Sequence, residues 1–281
     1  MQNPAIAALG LNWSYLAFDV HPDFLREAIR GAQRMKFVGL NLTVPHKVLA
    51  VEMMDALDES ASLWGAVNTV RFEAKAGGNE WVPVGCFKGE VPEQIRSRGF
   101  NTDADAIVRA IQEELSLFVK GKRILLLGAG GAGRVAALKL ASEHVAELFL
   151  VNRTVSKAEE LAVEIRKRFS TVKVHVGYPS GAVDLLVNAT SLGLKPDDSL
   201  PMDMGKYRVD SVGSVYDMIY RPAETPLLRM AREAGCRTAN GLGMLLYQGA
   251  AALEIWSGQS APLGLMREAL LKSVYGNERA L

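Results

Sequence analysis

The sequence predicts an α/β protein with a doubly wound parallel sheet in its middle, a smaller α/β region before it and apolar helices after it. Three observations predict this. From about Lys122 onward, short apolar runs alternate with amphipathic helical stretches, the pattern of βαβ units. The turn Gly128-Ala129-Gly130-Gly131-Ala132-Gly133 stands between one such run and a helical stretch and has the spacing GxGxxG. The chain then ends in two apolar helical stretches with no strand after them.

The bulk numbers agree. A chain of 281 residues can bury the cores of two domains. With half its residues hydrophobic and 22% charged it reads as globular rather than disordered. The net charge of +1 creates no field that would recruit nucleic acid or a membrane surface. Cys86 and Cys236 form neither CxxC nor a metal spacing, so two free thiols in a reducing compartment are expected. His21, His144 and His175 are isolated and imply no metal site. Met1 to Ala5 has no basic region ahead of an apolar run, and no apolar stretch is long enough to span a bilayer, so the expected location is cytoplasmic. There is no internal repeat.

Taken in order, Pro22 to Arg30 and Val48 to Leu57 read as helices, and Gly39 to Val44 and Ala66 to Phe72 as strands. Asp105 to Leu115 places Ile107, Val108, Ile111 and Leu115 on one helical face and reads as a linking helix. Arg123 to Gly128 is continuously apolar after its first residue, as a strand buried on both faces must be. Arg134 to Glu143 follows as a helix and Leu148 to Val151 as a strand. Ser156 to Phe169 is the next helix, with Ser156 as N-cap and Glu159 at the capping-box position. Val172 to Val176, Asp184 to Asn188 and Val215 to Asp217 read as strands, and Thr225 to Ala234 as a helix stopped by Gly235. This middle region is Rossmann-like. Met244 to Trp256 and Pro262 to Val274 read as helices that pack back across the domain junction.

The glycine loop carries the first chemistry. Glycines there permit a tight turn and let backbone amides approach a pyrophosphate, while the helix N-terminus adds a partial positive charge. About twenty residues beyond, an NAD enzyme places an acid on the ribose hydroxyls. This sequence has Asn152-Arg153-Thr154, with Lys157 close behind. A guanidinium and an ammonium suit a 2′-phosphate, so the pattern favours NADP. Asn188-Ala189-Thr190-Ser191 ends a strand, where small polar residues line a ligand or simply form a turn.

The remaining candidates lie mostly outside that region. Lys47 stands at a predicted helix start in Asn41-Leu-Thr43-Val-Pro-His46-Lys47. A cation is disfavoured there, which a proton-transferring lysine exploits; a solvated lysine is the alternative. Asp103 opens the linking helix as a reactive carboxylate or as an N-cap. Asn68 and Gln248 interrupt apolar stretches and need a partner or a ligand. Tyr220 follows a strand end.

Together these segments resemble the shikimate dehydrogenase family, with its quinate/shikimate relatives. The resemblance runs in order through Asn41 to Lys47, Gly65 to Thr69, Asn101 to Asp103, Gly128 to Gly133, Asn152 to Thr154, Asn188 to Thr190, Asp217 to Tyr220 and Asn240 to Gln248. It implies an enzyme that reversibly reduces 3-dehydroshikimate to shikimate with NADPH, a step of chorismate and aromatic amino acid biosynthesis. Lys47 and Asp103 would be its acid/base pair, and Thr43, Asn68, Tyr220 and Gln248 would hold the hydroxyls of the cyclohexene acid. Gly128, Ala129, Gly130, Gly131, Ala132, Asn152, Arg153, Thr154, Lys157 and Thr190 would bind the cofactor, with Met218 and Gly241 bordering the nicotinamide. The implied plan is a substrate domain from residues 1–104, an NADP domain from 105–239 and C-terminal helices from 240–281 that complete the first domain, with the ligand in the cleft. A monomer or homodimer is expected.

Three departures from the family pattern stand out. The family's leading strand and Ser-x-Ser segment precede a Met-His-Asn, which Met1-Gln2-Asn3 matches here; the expectation is a start assigned too far downstream. The stretch from Glu73 to Gly99 is long, and Cys86 to Arg98 reads as a surface insertion. Ala104-Asp105-Ala106 follows Asp103 where the family commonly has glycine. A catabolic quinate/shikimate enzyme using NAD(P) and a non-catalytic ligand-binding homologue are the competing readings.

Overall fold

The computed structural model describes residues 1–195 and 197–276. The chain divides into two compact units, Met1–Asp103 with Leu246–Leu281, and Ala104–Leu245.

The first unit opens with α1 (Gln2–Ala8). It continues through α2 (Leu25–Arg34), β1 (Gly39–Asn41), α3 (His46–Leu49), β2 (Ala56–Leu57), α4 (Glu59–Trp64), β3 (Thr69–Lys75), β4 (Trp81–Pro83) and β5 (Ile95–Phe100). The strands lie in the order β1-β3-β5-β2, with β4 also on β3. Pairing is antiparallel except for β2 on β5. Val70, Phe72 and Ala74 on one face of β3 share a buried cluster with Leu25 and Ile29 of α2. The alternate residues carry charge. Arg71 pairs in register with Arg98, and Glu73 with Arg96. Glu73 is 1% exposed and its carboxylate is held by Arg71 and Arg96, with Arg98 at 4.0 Å. A buried carboxylate persists only with such partners.

The second unit begins at Ala104, one residue into α5 (Asp103–Leu115), and runs through β6 (Arg123–Leu127), α6 (Gly131–Ser142), β7 (Glu147–Val151), α7 (Val155–Arg168), β8 (Lys173–Val176), β9 (Val183–Asn188), β10 (Val212–Asp217), α8 (Pro226–Glu233) and β11 (Arg237–Asn240). Its six strands form one sheet in the order β11-β10-β9-β6-β7-β8. Every pairing is parallel. Winding outward in both directions from β6 and β9 creates a switch point at their carboxyl ends, where open α/β sheets bind ligands. The centre of the sheet is apolar on both faces: Ile124, Leu125, Leu126 and Leu127 of β6 are all fully buried. The helix α9 (Leu242–Ser257) follows, and α10 (Leu263–Tyr275) packs on α1.

Several expectations need correction. Val48 to Leu57 is not one helix: α3 ends at Leu49, a 3-10 turn covers Ala50–Met53, and Ala56–Leu57 is β2. The first strand is shorter than read, ending at Asn41, and the next begins at Thr69, so Asn68 precedes it. Ile95–Phe100, assigned in part to a surface insertion, is a strand paired on both edges. Its arginines hide it from a hydrophobicity pattern, yet partner carboxylates make its placement possible. Helix α7 is capped at Thr154 rather than Ser156, without a side-chain cap bond. The polar edge strand β11 gave no periodic signal.

Candidate active site

In the first unit, Lys47 sits on α3 and its Nζ lies 2.8 Å from Asp103 Oδ2, across 56 positions of sequence. The lysine and aspartate side chains are 28% and 11% exposed, so the pair is sheltered but reachable. Val67 N donates to the Lys47 carbonyl, which ties the lysine's backbone to the segment before β3.

The Asn101-Thr102-Asp103 stretch braces this pair. Asn101 Nδ2 donates to the Ala66 carbonyl, and its Oδ1 accepts from Asp103 N. Thr102 N donates to Asn68 Oδ1 at 2.8 Å, and Asn68 Nδ2 donates to Thr102 Oγ1 at 2.9 Å. The Thr102 hydroxyl in turn donates to the Gln248 carbonyl at 3.0 Å. Asn68 Nδ2 also faces Gln248 Oε1 at 3.4 Å, a weak contact. The polar interruptions at 68 and 248 therefore meet each other through Thr102. That threonine was given no role by sequence; its only signal was membership of the motif. Thr43 is exposed on the segment leading to α3, and its carbonyl accepts from His46 N.

In the second unit, β6 runs into the glycine loop and α6. Gly128 has φ +105°, and an added Cβ would lie 2.9 Å from the Ala189 carbonyl oxygen. At Gly133 a Cβ would meet the Gly128 oxygen at 2.2 Å. Gly130 and Gly131 instead face open space. Two glycines are thus demanded by packing, while two leave bare backbone at a helix N-terminus, the arrangement that admits a pyrophosphate. Ala129 N donates to Asn152 Oδ1 at 2.9 Å, so Asn152 braces the loop, and its Nδ2 donates to the Thr154 carbonyl. Arg153 and Lys157 are exposed. Among the described residues neither has a carboxylate within ion-pair distance, so both charges are available to an anion.

At the ends of β9 and β10 a buried polar network organises the turns. Asn188 Oδ1 accepts from the Thr190 amide and hydroxyl at 3.0 and 2.8 Å. Asn188 Nδ2 donates to Asp217 Oδ1 at 2.9 Å. Burial pushes the Asp217 carboxyl up, while hydrogen bonds from Thr225, Ile219 and Asn188 oppose that shift. Met218 N donates to the Asn188 carbonyl. Gly241 is packed so closely that a Cβ would lie 2.1 Å from the Met218 oxygen. Tyr220 is 39% exposed.

Comparisons with known proteins then decide the family. Residues 1–70 match the shikimate dehydrogenase substrate binding domain, 110–191 the shikimate / quinate 5-dehydrogenase model and 241–271 the shikimate 5′-dehydrogenase C-terminal domain. A shikimate dehydrogenase (NADP(+)) of Methanopyrus kandleri is 40% identical over 97% of this chain and 89% of its own. The chain belongs to the shikimate dehydrogenase family. A crystal structure of a shikimate dehydrogenase in complex with NADP+ superposes with a TM-score of 0.80 at 36% identity, covering 97% of this chain and 89% of that one. The ligand-free 5-ketofructose reductase of a Gluconobacter strain gives 0.77 at 33% identity, covering 96% and 91%. No helix among the described residues is long and apolar enough to cross a membrane.

Proposed function

We propose that this chain is an NADP-dependent shikimate dehydrogenase that reversibly reduces 3-dehydroshikimate to shikimate, in the cytoplasm, as a step of aromatic amino acid biosynthesis. The observation that carries the chemistry is the 2.8 Å pair of Lys47 and Asp103. The relative from Methanopyrus kandleri, named for this activity, supports the substrate and cofactor.

The residues fit the cofactor. Bare backbone at Gly130 and Gly131 receives the pyrophosphate, with Gly128, Ala129 and Ala132 shaping the loop and Asn152 bracing it. Arg153 and Lys157 meet the 2′-phosphate beside Thr154. Thr190, Met218 and Gly241 line the nicotinamide side. When bound, NADPH supplies the hydride that reduces the C3 carbonyl carbon.

The protein's part is to bind the ketone and manage its proton. As the carbonyl is reduced, negative charge develops on its oxygen. The Lys47 ammonium stabilises that charge and passes a proton to the oxygen, leaving a neutral amine beside Asp103. In the reverse direction the amine takes the hydroxyl proton. Asp103 holds the Lys47 side chain in place in either state. Thr43, Asn68, Tyr220 and Gln248 orient the ring hydroxyls, and the long Asn68–Gln248 contact is the one a hydroxyl would replace most cheaply. All these residues come from one chain, so a monomer or a homodimer is sufficient.

The test is steady-state oxidation of shikimate with NADP+, with quinate and NAD+ in parallel. Turnover with shikimate and NADP+ is expected. Lys47→Ala should lower kcat by on the order of 10²–10⁴ with KM for shikimate within about threefold. An effect confined to KM would remove Lys47 from the proton step. A second reading is reduction of another polyhydroxy ketone, favoured by the likeness to 5-ketofructose reductase; 5-ketofructose with NADPH belongs in the same assay. Cofactor binding without turnover on any of these would favour the ligand-binding homologue.

A further inference from the structure

We propose that Asp217 is a positioning residue for the reaction: a single buried carboxylate that sets the turns bearing Thr190, Met218 and Tyr220. This inference rests on reading Thr190 and Met218 as cofactor contacts and Tyr220 as a substrate contact.

Asp217 is the last residue of β10, lies beside Asn188 in parallel register and is fully buried. Its two oxygens serve different purposes. Oδ1 accepts from Asn188 Nδ2 at 2.9 Å and from the backbone amide of Ile219 at 3.1 Å. Oδ2 accepts from the Thr225 hydroxyl at 2.7 Å, and Thr225 Oγ1 accepts from Leu228 N as the N-cap of α8. The first oxygen thus acts on the turns, and the second on the anchoring of a helix.

The Oδ1 side reaches the cofactor region along a continuous path. Asn188, oriented by Asp217, holds the Thr190 amide and hydroxyl through its own Oδ1. The Ala189–Thr190 turn is the surface on which Gly128 packs, with the Ala189 carbonyl oxygen 2.9 Å from where a Gly128 Cβ would be. The bond to Ile219 N bends the chain directly after Met218, and the Ile219 carbonyl then accepts from Gly241 N at 3.1 Å. Tyr220 follows one residue later. An amide side chain could reproduce these bonds, with oxygen toward Asn188 and Ile219 and nitrogen donating to Thr225 Oγ1. An alanine could reproduce none.

The experiment compares Asp217→Ala, Asp217→Asn and Thr225→Val in the full chain, measuring KM for NADP+, KM for shikimate, kcat and Tm. Asp217→Ala is expected to raise KM for NADP+ and lower kcat by about tenfold each, the loss of a buried hydrogen-bonded hub. Asp217→Asn is expected to return both to within about threefold of wild type. Thr225→Val should lower Tm while leaving the kinetic constants within about threefold, because it removes only the Oδ2 side. If Asp217→Ala yields no folded protein, Asn188→Ala breaks the same path from β9 and is expected to raise KM for NADP+ similarly. The proposal is overturned if the folded variant of this pair keeps wild-type constants, or if Thr225→Val reproduces the kinetic loss at equal Tm. Thr190→Val and Met218→Ala separate the two readings. If they alter the constants while Asp217 variants do not, the contacts stand and the positioning role falls. If they too alter nothing, the cofactor-contact reading itself is wrong.

Discussion

The two units solve the same problem, burying a sheet, in opposite ways. In Ala104–Leu245 the central strand β6 is buried on both faces and is apolar at every such position. In the first unit, β3 alternates between an apolar face and one that carries Arg71 and Glu73, with Arg96 and Arg98 opposite them on β5. The first solution depends on area removed from water and on packing. The second depends on every charge finding a partner. For this reason a glycine loop and its strands can be read from composition, whereas a charged interior strand resembles a surface loop until its partner carboxylate is known.

Stability measurements sharpen that contrast most. Leu126→Ala, at a fully buried position of β6, should cost about 2–5 kcal/mol in denaturant unfolding and be nearly indifferent to salt. Glu73→Gln leaves Arg71 and Arg96 short of a carboxylate, while Arg98 keeps Asp58. Because those arginines retain some access to water, the cost should be about 2–3 kcal/mol, and added salt should reduce it. Equal salt responses from the two variants would remove the distinction between the units.

The next effect concerns the exposed cations of the second unit. Arg153→Ala should raise KM for NADP+ by about 10–100-fold, the loss of one charge-assisted contact, and leave KM for shikimate unchanged. It should also narrow the preference over NAD+. An unchanged cofactor ratio would assign the 2′-phosphate to other residues.

A smaller effect is the pH response of the buried carboxyl in the second unit. Burial raises the Asp217 pKa above its ordinary value of 3.8. The folded state therefore holds the proton more tightly than the unfolded state, and its relative stability declines as pH rises from the ordinary value through the raised one. Asp217→Asn removes that titration. The Tm of the variant minus that of wild type should rise as pH increases above the ordinary value of 3.8; a difference that falls would contradict the sign. The smallest effect is expected at Ser156, which lies inside α7 rather than at its cap. Ser156→Ala should change stability by less than about 0.5 kcal/mol, whereas a loss near 1 kcal/mol would restore the capping role.

Legibility followed the same division. Buried runs such as Arg123–Leu127 and Val183–Asn188 announce themselves because a strand covered on both faces has to be apolar nearly throughout. Ile95–Phe100 does not, since three of its six residues are Arg96, Ser97 and Arg98. The short β2 and the polar β11 are likewise defined by their neighbours in the sheet and not by periodicity. Among the candidate site residues, Lys47, Asp103, Asn68 and Gln248 could be named from polar interruptions and motif resemblance. Thr102 and Asp217 acquire a role only when their partners are visible, because Thr102 bonds to Asn68 and Gln248 and Asp217 gathers Asn188, Ile219 and Thr225.

By itself the sequence determined the α/β class, the turn on which a dinucleotide phosphate can rest and the two cations suited to a 2′-phosphate, because these depend on local periodicity and on residue type. Only the tertiary structure decided that Lys47 and Asp103 stand 2.8 Å apart, and that Glu73 buries a charge among three arginines. Pairings across tens of residues are set by how strands and helices pack, and a charge is tolerated inside a protein only where that packing delivers its counterpart.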